Sequence, residues 1–357
     1  MTVMGARPQF IKMAPVRLAL HARGHEEISV HTGQHYDPGL SDIFFQPLGL
    51  PRPRHNLEVG SGTHGEQTAR MLSAAERTMI EERPDGVVAI GDTNSTLAGA
   101  LAAVKLHIPV AHIEAGLRSF NRRMPEEHNR VCTDHLSDRL YYSTRAACEN
   151  LVREGLLAKA VRSGDVTLDS VRLFSATDGG PELALLLDRV GPRPFAVLTL
   201  HRAENTDDAD RFRRLWGRIN EMAWPVVFPI HPRTREVLAR LALSTVPSVH
   251  VSSPIEYATM LGLLRRASLL LTDSGGLQKE AYFLGVPCLT LREETEWVET
   301  IEAGWNRLYD LSTFPPIDAE AESRRHGVAI EEYGNGHAAE RIVEDLESWL
   351  GSRATGL

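Results

Sequence analysis

Lysine is nearly missing from this chain of 357 residues. Only Lys12, Lys105, Lys159 and Lys279 occur, and arginine supplies nearly all of the positive charge. Cysteine is scarce too: Cys132, Cys148 and Cys288 form an odd, widely spaced set without a CxxC pair. That pattern argues against a disulfide framework or a structural zinc and points to a reducing compartment, with no metal expected. No apolar run reaches transmembrane length and no signal-peptide pattern opens the chain, so the expectation is a soluble, cytoplasmic protein without a membrane partner. The net charge of −8 implies no general attraction to nucleic acid, so positive charge at any phosphate site must act locally. What is present is ample core material, 42% hydrophobic residues, over a length that suits two domains.

Apolar strand candidates alternate with helical patterns almost throughout, the mark of α/β architecture with parallel sheets and crossover helices. A first series begins at residues 2–4 and runs through 28–31, 87–90, 110–113, 140–143 and 161–163. A second runs through 195–201, 225–231, 248–251, 268–273 and 287–292. The Gly- and Pro-bounded stretch 177–194 lies between them. The expected organisation is an N-terminal Rossmann-like domain over 1–166, joined by the C-terminal helix 338–357, and a second Rossmann-like domain over 167–337. The two parallel sheets are expected to face a central cleft.

TDSGGLQKEA at 272–281 follows an apolar run and leads into a helical pattern. Ser274, Gly275 and Gly276 offer a hydroxyl and unhindered N–H groups where a helix dipole is positive, a place for a phosphate or diphosphate. Glu280, one turn on, is acceptor-only and suits ribose hydroxyls. The plain alternative is a strand–helix turn with glycine for tightness. A second block, VAHIEAGLRSFNRRMPEEHNR at 110–130, delivers Glu114 to a strand end and opens a helix carrying Glu126, Glu127 and Arg130. VVAIGD at 87–92 puts Asp92 at another strand end. Ligands of open α/β sheets bind just outside such ends, so Asp92, Glu114 and Glu126 converge on one site, and clustered acids perturb one another toward acid–base work. Against this, Asp92 also reads as a helix cap, and Glu126 with Arg130 has the spacing of a surface ion pair. GSGTHG at 60–65 matches GxGxxG, but the Pro- and Arg-rich segment before it is no buried strand, so dinucleotide binding there is rejected and no cofactor is expected.

The motifs together resemble the non-hydrolysing UDP-N-acetylglucosamine 2-epimerases. The matching segments are GARPQFIKMAPV (5–16), HTGQHYD (31–37), GDTNSTLAGALAA (91–103), AHIEAGLRS (111–119), PEEHNR (125–130), LTLHRAEN (198–205), PIHPRTRE (229–236) and TDSGGLQKEA. The resemblance implies a GT-B type fold and a UDP-sugar substrate whose C2 is inverted by elimination and re-addition of UDP through a glycal. It also implies a homodimer. Asp92, Glu114 and Glu126 match the catalytic acids, with base and acid not separable, and His201 matches a histidine that assists UDP departure. Arg7, Lys12 and Arg130 would contact diphosphate or sugar, Ser274, Gly275 and Gly276 the phosphates, and Glu280 the ribose. Gln34, His35, Arg202 and His231 match positions that bind a second, activating UDP-sugar in some bacterial members.

Departures bear on the substrate. Where many members read T-E-R-P-E, this chain has Thr295-Glu296-Trp297-Val298-Glu299, and a tryptophan before PEE is Met124 here. These features look closer to the branch acting on UDP-2,3-diacetamido-2,3-dideoxy-glucuronate, the alternative to UDP-N-acetylglucosamine. Rivals are a GT-B glycosyltransferase with a UDP-sugar donor, a hydrolysing epimerase and a non-catalytic sugar-nucleotide sensor.

Overall fold

The computed structural model describes residues 1–34, 51–176 and 179–354. The chain forms two compact units, Met1–Ser170 with Glu331–Leu357, and Val171–Ile330. The sequence reading puts the divisions at 166/167 and 337/338, four and seven residues away from these.

The first unit runs β1 (Thr2–Met4), α1 (Arg7–Ala22), β2 (Ser29–His31), β3 (His55–Asn56), α2 (His64–Glu82), β4 (Val87–Ile90), α3 (Asn94–Lys105), β5 (Val110–Ile113), α4 (Pro125–Leu136), β6 (Arg139–Tyr142), α5 (Arg145–Arg153) and β7 (Ala160–Arg162). Helix α6 (Val166–Ser175) carries the boundary at residue 170. The second unit has α7 (Gly180–Val190), β8 (Ala196–Thr199), α8 (Ala203–Thr206), α9 (Ala209–Asn220), β9 (Val226–Pro229), α10 (Pro232–Arg240), β10 (Val249–Ser252), α11 (Tyr257–Leu264), β11 (Leu269–Thr272), α12 (Gly275–Phe283), β12 (Cys288–Thr290), α13 (Val298–Glu302), β13 (Asn306–Leu308) and α14 (Ala319–Ser323). Helix α15 (Ala338–Ala354) returns to the first unit, where Arg139 and the Tyr141 hydroxyl both donate to Asp345.

All described strand pairings are parallel. The sheet orders are β3-β2-β1-β4-β5-β6-β7 and β10-β9-β8-β11-β12-β13. The central strands VVAI, VAHI, AVLT and LLLT are buried along their length, as strands covered on both faces by helices must be. In the second unit α9 lays Phe212, Leu215, Trp216 and Ile219 onto that sheet. In each sheet the strand order reverses once, between β1 and β4 and between β8 and β11. Those reversals mark where an open α/β sheet leaves room for a ligand at its strand ends.

Two strands escaped the sequence reading. β3 is two residues at a sheet edge, and β13 reads Asn-Arg-Leu, so neither carries a buried apolar run. GSGTHG follows the edge strand β3, not the first βα turn. That first turn holds Gly5, where an added Cβ would lie 2.0 Å from Ser95 Oγ and 2.2 Å from Thr32 Oγ1, so only glycine fits.

Candidate functional site

The reversal in the first unit places the end of β1 beside the end of β4. Helix α1 leaves β1 with Arg7 as its first residue and Lys12 in its second turn. Lys12 Nζ donates to Glu114 Oε2 at 2.5 Å, and only 7% of the Glu114 side chain is exposed. Glu114 directly follows β5 with φ of +70°, a left-handed conformation unusual for glutamate and of order 1–3 kcal/mol in cost. Such strain, held by surrounding packing, is what a functional position tolerates. Gly91 borders the carboxylate, since a Cβ there would lie in ordinary contact, 3.5 Å from Glu114 Oε2, and its own φ of +70° is what favours glycine.

Asp92, just past β4, is held from the opposite side. Arg130 Nη2 on α4 donates to Asp92 Oδ2 at 2.5 Å, and Asn129 Nδ2 donates to the Asp92 carbonyl at 2.9 Å. Arg130 also reaches Glu127, Nη1 to Oε2 at 3.0 Å. Glu127 is buried and accepts from the Ser119 and Phe120 N–H groups and the Ser119 hydroxyl, so it ties the loop after β5 to α4. Glu126 lies one turn before Arg130, partly exposed, and among the described residues it has no hydrogen-bond or ion-pair partner. Asp92 and Glu114 are thus each engaged by a cation at adjoining strand ends, and Glu126 is carried by the helix that binds Asp92.

Beneath these groups lies a buried polar network absent from the sequence reading. His112 on β5 meets Asp134 Oδ1 through Nδ1 at 2.7 Å and the Gly91 carbonyl through Nε2 at 2.7 Å. Asp134 Oδ2 accepts from the Gly116 N–H at 3.0 Å and from Arg118 at 2.8 Å, and Arg118 pairs in turn with Glu154. Burial pushes the Asp134 carboxyl up, but the His112 hydrogen bond and charge, Arg118 and the Gly116 N–H outweigh it and hold the group below its ordinary value. The network fixes Gly91 and Gly116, the backbone on either side of Asp92 and Glu114. Its members come from β5, α4 and the loop between, so no local motif announces it.

In the second unit the reversal brings β8 and β11 together. Asp273 at the end of β11 is fully buried and accepts from the His201 N–H at 2.9 Å, the Arg202 N–H at 2.8 Å and Asn205 Nδ2 at 3.2 Å. It therefore welds the loop after β8 to the turn before α12. The His201 ring lies 3.2 Å from Asp273 through Nδ1 and 5.3 Å, centroid to centroid, from the His231 ring. Burial lowers the His201 pKa below 6.5, the Asp273 charge opposes this, and Arg202 and Arg233 reinforce it.

Helix α12 begins at Gly275 after Ser274, and no side chain caps it. Glu280 is buried and accepts from the Tyr257 hydroxyl at 3.1 Å. A Cβ on Gly275 would lie 3.7 Å from Trp297 Nε1, 3.8 Å from Arg202 Nη2 and 3.9 Å from Glu296 Oε2. Arg202, grouped by resemblance with regulatory positions, thus stands at the start of α12. Of that group, Gln34 belongs to the first unit and accepts from the Ser95 N–H and hydroxyl at the start of α3, and His231 accepts from the Arg233 N–H at the start of α10. His35 lies outside the described residues. The candidate site residues therefore fall into two sets. Asp92, Glu114, Glu126, Lys12, Arg130 and Arg7 lie in the first unit; Ser274, Gly275, Gly276, Glu280, His201, Arg202 and His231 lie in the second.

The chain matches the family model described as UDP-N-acetylglucosamine 2-epimerase over residues 18–347. It is 48% identical to the UDP-2,3-diacetamido-2,3-dideoxy-D-glucuronate 2-epimerase of Pseudomonas aeruginosa, over 97% of this chain and 98% of that one. It is 41% identical to the UDP-N-acetylglucosamine 2-epimerase of Methanocaldococcus jannaschii, over 96% of this chain and 97% of the relative. The crystal structure of the latter enzyme in complex with UDP-GlcNAc and UDP superposes with a TM-score of 0.90, covering 97% of this chain and 99% of that one. With a family model matched over nearly its whole length and relatives this similar end to end, the chain belongs to the UDP-N-acetylglucosamine 2-epimerase family.

Proposed function

We propose that the protein inverts C2 of a UDP-2-acetamido sugar, with UDP-N-acetylglucosamine as substrate and UDP-N-acetylmannosamine as product. The observation that carries this reading is the pair of cation-held carboxylates at adjoining strand ends, Glu114 with Lys12 and Asp92 with Arg130.

The C2 proton of such a sugar has no neighbouring carbonyl to acidify it. Direct removal would leave an unstabilised carbanion. Loss of UDP from C1, taking the electron pair of the C1–O bond, lets a carboxylate take the C2 proton while the C1=C2 bond of a glycal forms. Returning a proton to the opposite face of C2 and re-adding UDP at C1 completes the inversion, with no net redox change. In this scheme Asp92, Glu114 and Glu126 share the proton transfers, Lys12 and Arg130 orient two of them, and Arg7 contacts the substrate. The uncapped start of α12, at Ser274, Gly275 and Gly276, takes the diphosphate, Glu280 takes the ribose, and His201 assists UDP departure. A homodimeric, cytoplasmic enzyme belongs to the same proposal, and sedimentation of the purified chain tests its first half.

The 48% identity to the Pseudomonas aeruginosa enzyme, together with Trp297 in place of the arginine of T-E-R-P-E, favours a second reading in which the substrate is the UDP-diacetamido-uronate. Proton NMR of the purified protein with each UDP-sugar decides between them. The first reading expects the manno epimer from UDP-N-acetylglucosamine; turnover of the uronate alone selects the second.

A further inference from the structure

Trp297 stands out among the buried polar groups of the second unit. It is 6% exposed, and its indole Nε1–H has no hydrogen-bond partner among the described residues, whereas buried donors of folded proteins are as a rule satisfied. Its surroundings hold it in place. Gln278 on α12 accepts from the Thr295 hydroxyl at 2.7 Å, Thr295 Oγ1 accepts from the Trp297 N–H at 3.1 Å, and the Trp297 carbonyl accepts from the Thr300 hydroxyl at 2.7 Å. The ammonium of Lys279, itself fully buried, sits over the indole face at 3.8 Å from the ring centroid. A ring fixed so firmly with its donor unused is built to meet something.

That donor borders the start of α12. The point where a Cβ on Gly275 would stand is 3.7 Å from Trp297 Nε1 and 3.8 Å from Arg202 Nη2, and the helix has no side-chain cap. Glu296 Oε2 is 3.9 Å from the same point, but both its oxygens are engaged by the buried Arg292, at 2.9 and 3.1 Å. The groups nearest this point are thus a helix N-terminus, an indole N–H and a guanidinium, all donors, with the neighbouring Glu296 carboxylate already paired. Donors of that kind suit a dianionic, acceptor-rich group.

We propose that Trp297 is a binding residue for the nucleoside diphosphate, its Nε1–H donating to a phosphate oxygen seated over Gly275 between the indole and Arg202. This deepens the functional reading above and rests on it. Arginine at this position would bring a second mobile charge. Tryptophan brings one neutral, rigidly aimed donor, and Lys279 behind the ring polarises it.

The test uses the full chain, labelled with nitrogen-15, whose five tryptophans give five indole N–H resonances. UDP is titrated against uridine, and Trp297→Phe assigns the Trp297 signal while keeping an aromatic ring beneath Lys279. The expected result is a downfield shift of the Trp297 indole resonance with UDP and none with uridine, with UDP affinity lowered about tenfold in Trp297→Phe and a thermal midpoint close to that of the unsubstituted protein. If the variant does not fold, the titration of the unsubstituted protein still decides, because one indole resonance must answer UDP and ignore uridine. UDP binding that leaves every indole resonance unmoved, or a folded Trp297→Phe with undiminished affinity, overturns the proposal alone. Failure of the unsubstituted protein to bind UDP overturns the functional reading with it.

Discussion

Arg130 Nη2 donates to Asp92 Oδ2 at 2.5 Å, and this contact, with the Asn129 bond to the Asp92 carbonyl, joins helix α4 to the end of strand β4. The same guanidinium holds Glu127, so α4 presents two neighbouring glutamates with different work. Glu127 is buried and saturated with donors; Glu126 is partly exposed and unpaired among the described residues. Glu127→Gln is therefore expected to lower stability by about 2–4 kcal/mol, since it weakens a buried charge pair and leaves an amide N–H facing donors. Glu126→Gln should leave stability within about 0.5 kcal/mol while cutting turnover at least a hundredfold. Denaturant unfolding and epimerase assays on both variants separate the two. Equal losses of stability would contradict the division.

A second prediction concerns the pairing of Lys12 with Glu114. Lys12→Met should lower kcat by about a hundredfold or more, because the carboxylate loses the cation that aims it, while UDP affinity changes less than about threefold. Calorimetric titration with UDP alongside steady-state kinetics checks both halves. A large loss of UDP affinity with kcat intact would move Lys12 from the sugar to the diphosphate.

Gly275→Ala gives a third. The backbone there is not left-handed, and the added methyl meets nothing closer than 3.7 Å, so the fold accepts it and the helix gains about 0.5–1 kcal/mol. The methyl fills the seat proposed for a phosphate. The expected outcome is a thermal midpoint that holds or rises while UDP affinity falls at least tenfold. Unchanged affinity would argue that phosphate does not sit there.

Two pH dependences follow from the buried groups. Asp134 is held below 3.8 in the folded chain, so its contribution to stability is complete above 3.8 and is lost as pH falls through the lower folded value. Asp134→Asn should cost about 3–5 kcal/mol at pH 7, because Arg118 and His112 lose a buried anion, and the deficit relative to the unsubstituted protein should shrink in acid. For His201 the folded pKa lies below 6.5, so the neutral ring is the folded form at pH 7, and its contribution is present above 6.5 and lost as pH falls through the folded value. An imidazole NMR titration of His201 should have its midpoint below 6.5, and a midpoint above 6.5 would contradict the burial argument.

Much of the fold was legible because its central strands are continuous apolar runs ending in a chemically distinctive residue, as at Ile90-Gly91-Asp92, Ile113-Glu114 and Thr272-Asp273. Parallel sheets write themselves into sequence this way. The short edge strands β3 and β13 did not, since two or three mostly polar residues at a sheet edge bury too little apolar surface to leave a pattern. Among the candidate site residues, Asp92, Glu114 and the glycines of α12 were nominated by strand-end logic alone. Glu126 was singled out from Glu127 in the PEE triplet, and the structure shows how the two differ: Glu127 is buried and Glu126 partly exposed. The His112–Asp134–Arg118 network was invisible because nothing in the spacing of its members marks them as partners, and the seat of Trp297 because it is assembled from segments far apart in the chain. The one sequence hint at Trp297 was that it stands where relatives carry arginine.

The central claim is that carboxylates of the first unit move the hydrogen at C2 while UDP departs and returns. Proton NMR of UDP-N-acetylglucosamine incubated with the enzyme in D₂O, without any acceptor, tests it most directly. The account predicts that the C2 proton signal fades as deuterium enters, that the manno epimer appears still attached to UDP, and that Asp92→Asn and Glu114→Gln each suppress both. Epimer formed with its C2 proton retained, or exchange undiminished in both variants, would contradict it.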